Sequence, residues 1–173
     1  MVIKQAAHYC TKFEQGGPRR KFYTMNINWQ LKKFDTLTNN ELYQLLRLRS
    51  EVFVVEQNCV FLDMDNKDQL CWHLLGWKDS LLAASTRIVP AGLAYEEVSI
   101  GRVVTSPAAR GLGIGRLLMK ESIKACYDLY GREKIRIGAQ LYLLEFYRSL
   151  GFKEEGDIYL EDDIRHIEMV LLP

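Results

Sequence analysis

The sequence has almost no net charge. Lys and Arg total 23 against 22 Asp and Glu, a formal +1. So even a balance offers no global field for nucleic acid or for an anionic membrane, and neither partner is expected. No apolar run approaches the roughly 20 residues that a helical bilayer crossing needs. The four cysteines, Cys10, Cys59, Cys71 and Cys126, never fall in C-x-x-C spacing. That excludes a zinc ribbon or a thioredoxin-type motif. Free thiols in a reducing compartment follow, so a cytoplasmic protein is expected. The acidic stretch Asp63-Met64-Asp65-Asn66-Lys67-Asp68 lacks the EF-hand glycine and closing glutamate, with Asp68 and Leu74 in their places. No metal is expected there. Side-chain-to-backbone bonds within the loop are the simpler reading.

What is present suits one domain with a single core. Residues 1–24 differ from the rest. They carry Gly16-Gly17-Pro18 and Arg19-Arg20-Lys21 and no apolar stretch of signal-peptide type. They are expected to be an N-terminal extension, flexible or lying upstream of the true start, before a domain at 25–173. From there the periodicity is clear. Ile27 to Phe34 reads as a strand. Thr38 with Glu41 forms a capping box, and the helix behind it runs to about Val54–Asn58. Cys71–Trp77 and Leu81–Val89 read as a hairpin, and Val98–Thr105 as a further strand. A helix over 115–130 stops at Gly131. A strand over 134–139, a helix over 141–150 stopped by Gly151, and strands at 158–159 and 167–172 complete the chain. Strands with helices inserted between them give an α/β (α+β) layered domain.

Chemistry concentrates in Val103-Val104-Thr105-Ser106-Pro107-Ala108-Ala109-Arg110-Gly111-Leu112-Gly113-Ile114-Gly115-Arg116. The strand stops at Pro107, which has no N–H for a ladder. Glycines at 111, 113 and 115 allow a tight turn and close backbone approach to a ligand. The helix that follows presents unpartnered N–H groups and the positive end of its dipole, a phosphate site. Arg110 and Arg116 flank it with charge-assisted donors. A P-loop would need Lys-Ser or Lys-Thr after the glycines, and a Rossmann turn G-x-G-x-x-G. Neither pattern is here.

Arg110-x-x-Gly113-x-Gly115, after a strand and opening a long helix, resembles the acetyl-CoA pyrophosphate loop of the GCN5-related N-acetyltransferase (GNAT) superfamily. Phe146-Tyr147-x-x-x-Gly151-Phe152 is similar to a second signature of that family. Residues 47–57, the triad Asp63, Asp65 and Asp68, His73, and Gly138-Ala139-Gln140 resemble its ElaA-type subgroup. The resemblance spans about 27–172. It implies a GNAT-like fold, with a mixed, mostly antiparallel sheet splayed between 98–105 and 134–139. It implies acetyl-CoA as co-substrate and transfer of its acetyl group directly to a primary amine. Val103, Val104 and Thr105 would face the pantetheine arm. Arg110, Gly111, Leu112, Gly113, Ile114 and Gly115 would bind the pyrophosphate, with Arg116 at the rim. Gln140 stands where the family commonly has Asn. Tyr147 would protonate the leaving thiolate. A non-catalytic acyl-CoA-binding module, or a nucleotide-cofactor oxidoreductase, are the competing classes.

No base for the amine announces itself. Glu51, Glu56, Asp65, His73, Glu97 and Ser99 are the candidates, with Glu97 and His73 named as catalytic. Arg47 and Arg49 point to different sides of their helix, and solvation is the expectation for both. The apolar end of the chain, Met169 to Leu172, is an edge that could pair across a homodimer.

Overall fold

The computed structural model describes residues 26–173. The expected extension at 1–24 lies outside them. Eight strands form one sheet in the order β1-β2-β3-β4-β5-β8-β6, with β7 also on β8. They are β1 (Asn28–Lys33), β2 (Trp72–Lys78), β3 (Leu81–Val89), β4 (Val98–Thr105), β5 (Ile135–Gln140), β6 (Lys153–Glu154), β7 (Tyr159–Glu161) and β8 (Ile164–Leu171). Every pairing is antiparallel except β4 with β5. That one parallel pair needs a crossover, and helix α2 (Ile114–Tyr130) supplies it. Ile114, Leu118, Met119, Ser122, Ala125 and Cys126 are its buried face, at helical spacing. Ser122 would be costly there unpaired. Its hydroxyl donates to the Leu118 carbonyl at 2.8 Å and accepts from Thr86 Oγ1 at 2.7 Å.

Two features shape the sheet for a ligand. First, β4 and β5 pair only at Val98 with Ile135 and Ser99 with Arg136. Beyond Ser99 the strands diverge and the β4 edge is left free. Second, β4 bulges against β3. Arg87 faces Gly101 and Ser85 faces Val104, so β4 spends one extra residue. Arg102 sits in that bulge with φ of 50°, a left-handed conformation uncommon for a side chain of its size.

Helix α1 (Asn39–Arg49) opens with the expected box: Glu41 N–H donates to Thr38 Oγ1, and Thr38 N–H to the Glu41 carboxylate. It does not then end as an ordinary helix. Ser50–Glu56 is π-helical, with Gln57 N–H bonding Val52 O and Cys59 N–H bonding Val54 O, each five residues back. Val52, Val54 and Val55 crowd α geometry at β-branched positions, and such wide turns favour functional sites. The helix expected at 141–150 is shorter: a 3₁₀ turn, Leu141–Leu143, then α3 (Leu144–Arg148). The last strand begins earlier than expected, at Ile164, because the β7–β8 turn folds it back on Tyr159–Glu161. This also corrects the dimer edge. β8 has β5 on one side and β6 and β7 on the other. Met169 and Val170 are buried inside the sheet, so β8 offers no free edge to a second copy.

Candidate active site

The fork between β4 and β5 opens into a cleft of about 850 Å³. Val103, Val104 and Thr105 line one wall, and Gly138 and Gln140 the other. Tyr147 and Phe146 of α3 close the floor, while Val52, Phe53 and Glu56 of the π-helical segment, with Gln57 just after it, overhang it. The Gly-rich turn stands at one end. Gly111 and Gly113 have φ of 77° and 75°, and a Cβ on either would meet no atom. These glycines therefore serve backbone conformation, not packing. They turn the chain so that the first N–H groups of α2 face outward. Arg110 and Gly115 line the cleft itself. Ile114 is buried in the core and Leu112 is exposed. The free β4 edge, the turn and the helix start fit a long ligand with a phosphate at one end.

The two arginines are placed differently. Arg110 reaches across the mouth to Glu56, with Nη1 and Nη2 donating at 2.6 and 2.8 Å. Arg116 turns to α3. It donates to Ser149 Oγ at 2.7 Å and lies 5.9 Å over the Phe146 ring. It therefore ties the start of α2 to the helix that carries Tyr147.

Tyr147 is almost wholly buried, with Phe146 and Phe152 edge-on at 5.1 and 6.0 Å. Burial, with Tyr142 nearby adding a smaller repulsion, raises its hydroxyl well above the phenol range. It stays protonated, as a proton donor must.

A family model described as an acetyltransferase (GNAT) domain matches residues 54–173. Protein ElaA of Escherichia coli is 41% identical over 145 residues, 83% of this chain and 95% of ElaA. Its crystal structure superposes with a TM-score of 0.79, covering 84% of this chain and 99% of that one. An acyl-CoA N-acyltransferase from Pseudomonas aeruginosa, 40% identical, gives 0.80 over 84% of this chain and 99% of its own. This chain is a GNAT-family protein, of the ElaA type. A more distant Bacillus subtilis acetyltransferase solved in complex with CoA, 20% identical, covers 86% of this chain and 99% of its own with a TM-score of 0.58. At that identity it shows the fold alone.

The GNAT cleft does not include the two residues named from the sequence as bases. Glu97 lies just before β4, outside the cleft. It receives two bonds from Arg136, both 2.8 Å, and faces Lys134 Nζ at 3.0 Å. The bonds from Arg136 are the main reason its carboxyl is held down at about 2. His73 is sealed in the core, its Nε2 donating to the Asp68 carbonyl at 3.0 Å. Burial pushes its pKa down. Of the others, Glu51 is exposed, Glu56 holds Arg110, and Ser99 and Asp65 line the cleft.

Asp65 belongs to a larger arrangement that also corrects two expectations. Arg49 is not solvated; it is 1% exposed. Its Nε donates to Asp63 at 2.7 Å and its Nη1 to Asp68 at 2.8 Å. Arg87 holds Asp65 bidentately at 2.6 and 2.7 Å and Asp68 at 3.0 Å. Arg102, in the β4 bulge, donates to Asp63 Oδ1 at 2.8 Å and to its carbonyl at 3.1 Å. The 62–69 loop is thus held chiefly by three arginines from elsewhere. One bond of the expected kind is present, Lys67 N–H to Asp65 Oδ1 at 3.2 Å. The network pins the bulge beside Val103 and Val104.

Arg102, Tyr95 and His166 also line the cleft, though no sequence motif singles them out. Gly138 admits the tyrosines: a Cβ there would meet the hydroxyls of Tyr159 and Tyr95 at 2.9 and 3.0 Å. One signal was available for His166. On β8 it and Glu168 are polar at alternate positions of a strand that is otherwise apolar beyond Arg165.

Proposed function

We propose that this protein transfers the acetyl group of acetyl-CoA directly to a primary amine. The observation that carries this is the fork: a free β4 edge running from a bulge into a Gly-rich helix start. Val103, Val104 and Thr105 would pair with the pantetheine amides as an added strand does. The turn at 110–115 would hold the pyrophosphate, with Arg110 leaving Glu56 for it and Arg116 bracing the rim. Gln140 would meet the pantetheine from the other wall.

In the step itself the amine nitrogen attacks the thioester carbonyl carbon. The C–N bond forms as the carbonyl pair moves to oxygen, where main-chain N–H near Val104 receives it. Collapse breaks the C–S bond and the pair leaves on sulfur. Tyr147 gives its proton to that thiolate and regains one from the new amide nitrogen.

The thiols support direct attack over an acyl-cysteine. Burial pushes Cys71 up to about 11 and Cys126 up to about 12. At the cleft, Cys59 is also raised, by desolvation and then by Asp162 and Asp163. No thiolate is favoured among the described residues.

The test is amine-dependent release of free CoA thiol, measured with a panel of amino acids, polyamines and peptide N-termini. Tyr147→Phe should lower kcat on the order of 10²-fold or more with acetyl-CoA affinity kept. Unchanged turnover in Tyr147→Phe would remove its role as acid. No amine-dependent release with any acceptor would contradict the function.

A further inference from the structure

A base for the amine is still needed, since a primary ammonium has no lone pair to attack with. We propose that His166 is that base, an inference that rests on the acyltransferase reading above. The sheet register carries it to the right place. His166 faces Gln140 across β5 and Tyr159 across β7. Paired residues in antiparallel strands project to the same face. Gln140 faces the cleft and exchanges amide contacts with Gln57 at 3.3 and 3.5 Å. His166, Gln140 and Gln57 therefore form one polar row along the cleft wall.

The imidazole is fixed in the useful tautomer. Nδ1 lies 2.9 Å from the Ile164 carbonyl oxygen. That oxygen can only accept, so Nδ1 carries the proton. The neutral ring then keeps its lone pair on Nε2. No described residue bonds Nε2, yet it is not a sealed, unsatisfied atom. His166 itself lines the cleft. Tyr159 stacks on the ring with centroids 5.7 Å apart and planes 26° apart, which holds its orientation.

Two competitors are committed elsewhere, Asp65 to Arg87 and Glu97 to Arg136, and Glu56 stands beside Arg110 at the pyrophosphate end of the cleft. Tyr159 on β7 stacks on His166, Glu168 lies two residues on along the same face of β8, and the cleft around it is also lined by Tyr95 and by two acidic groups, Glu161 and Asp162. The two acidic groups would favour a cationic acceptor approaching from that side. In the step, the acceptor ammonium gives one proton to Nε2. The freed nitrogen pair attacks the thioester carbon as above. The imidazolium returns its proton to solvent after the product leaves.

The experiment pairs kinetics with a measurement that needs no turnover. The sequence has three histidines, so ¹⁵N-histidine spectra of the wild type and His166→Gln identify the His166 signals. Neutral His166 should carry its proton on Nδ1; a proton on Nε2 would overturn the proposal. Thiol release with the amine panel is then followed against pH. In the wild type kcat/KM should show an acidic limb. His166→Gln should lose about 10²-fold or more in kcat/KM, lose that acidic limb, and bind acetyl-CoA as tightly as the wild type. Less than a threefold loss, or an acidic limb retained in the variant, would remove His166 as base while leaving the acyltransferase reading intact. Failure of the wild type to bind acetyl-CoA would sink that reading instead.

Discussion

Two clusters of arginine and carboxylate sit at opposite ends of the β4–β5 fork, and they behave differently. At the closed end, Arg136 on β5 holds Glu97 before β4, Glu168 on β8 and Glu155. Lys134 joins it. These groups are partly wet, with Glu155 close to half exposed. At the open end, Arg49, Arg87 and Arg102 hold Asp63, Asp65 and Asp68, and Arg49 and Asp63 are sealed from solvent. The same chemistry therefore has two uses. In water it is a weak clasp, because screening and side-chain entropy offset the attraction. Out of water the pairs must all be kept, because each lost partner strands a buried charge. The wet cluster marks where the strands still pair. The dry one fixes a bulge and a loop at the site.

The largest break in this comparison is Asp63→Ala. It strips a partner from both Arg49 and Arg102. It should cost about 3–5 kcal/mol in urea unfolding. A loss under 1 kcal/mol would mean water reaches the cluster. Next is Gly113→Ala, which forces a side chain into φ of 75°. It should cost about 1–2 kcal/mol and weaken acetyl-CoA binding, which calorimetry would read. Smallest is Glu97→Gln at the wet end, expected to cost about 0.2–1 kcal/mol. If it matched Asp63→Ala, the contrast between the ends would fail.

Acid sharpens the comparison further. Burial alone would raise the Asp65 and Asp68 carboxyls, but their arginine partners more than reverse it, and both are held low. Glu97 is held down at about 2. Carboxyls with depressed folded values stabilise above the unfolded range of about 4 and lose that contribution as pH falls through the folded values. Stability should therefore be level near neutrality and decline below about pH 4. The decline should flatten in Glu97→Gln, which removes one of the depressed carboxyls. Urea midpoints across pH would show this.

Much of the fork was legible in the sequence because its signals are local. Pro107 stops a strand, three alternate glycines turn the chain, and one buried stripe marks α2. The capping box of Thr38 and Glu41 is equally short-range. The dry cluster was not legible. Its bonds join residues 14 to 39 positions apart, and Arg49 read alone looks like any helix surface arginine. The π-helical turn escaped because its residues keep a helical apolar pattern. His166 escaped because its role depends on register with Gln140, which one strand's sequence does not contain.

The proposed function requires the fork to hold acyl-CoA through the Gly-rich turn. Its most direct test is calorimetric titration of acetyl-CoA into the wild type and into an Arg110→Ala, Gly113→Ala double variant shown to be folded by circular dichroism. Saturable binding by the wild type, lost in the variant, is the expected result. Equal binding by both would place the donor elsewhere and contradict the claim.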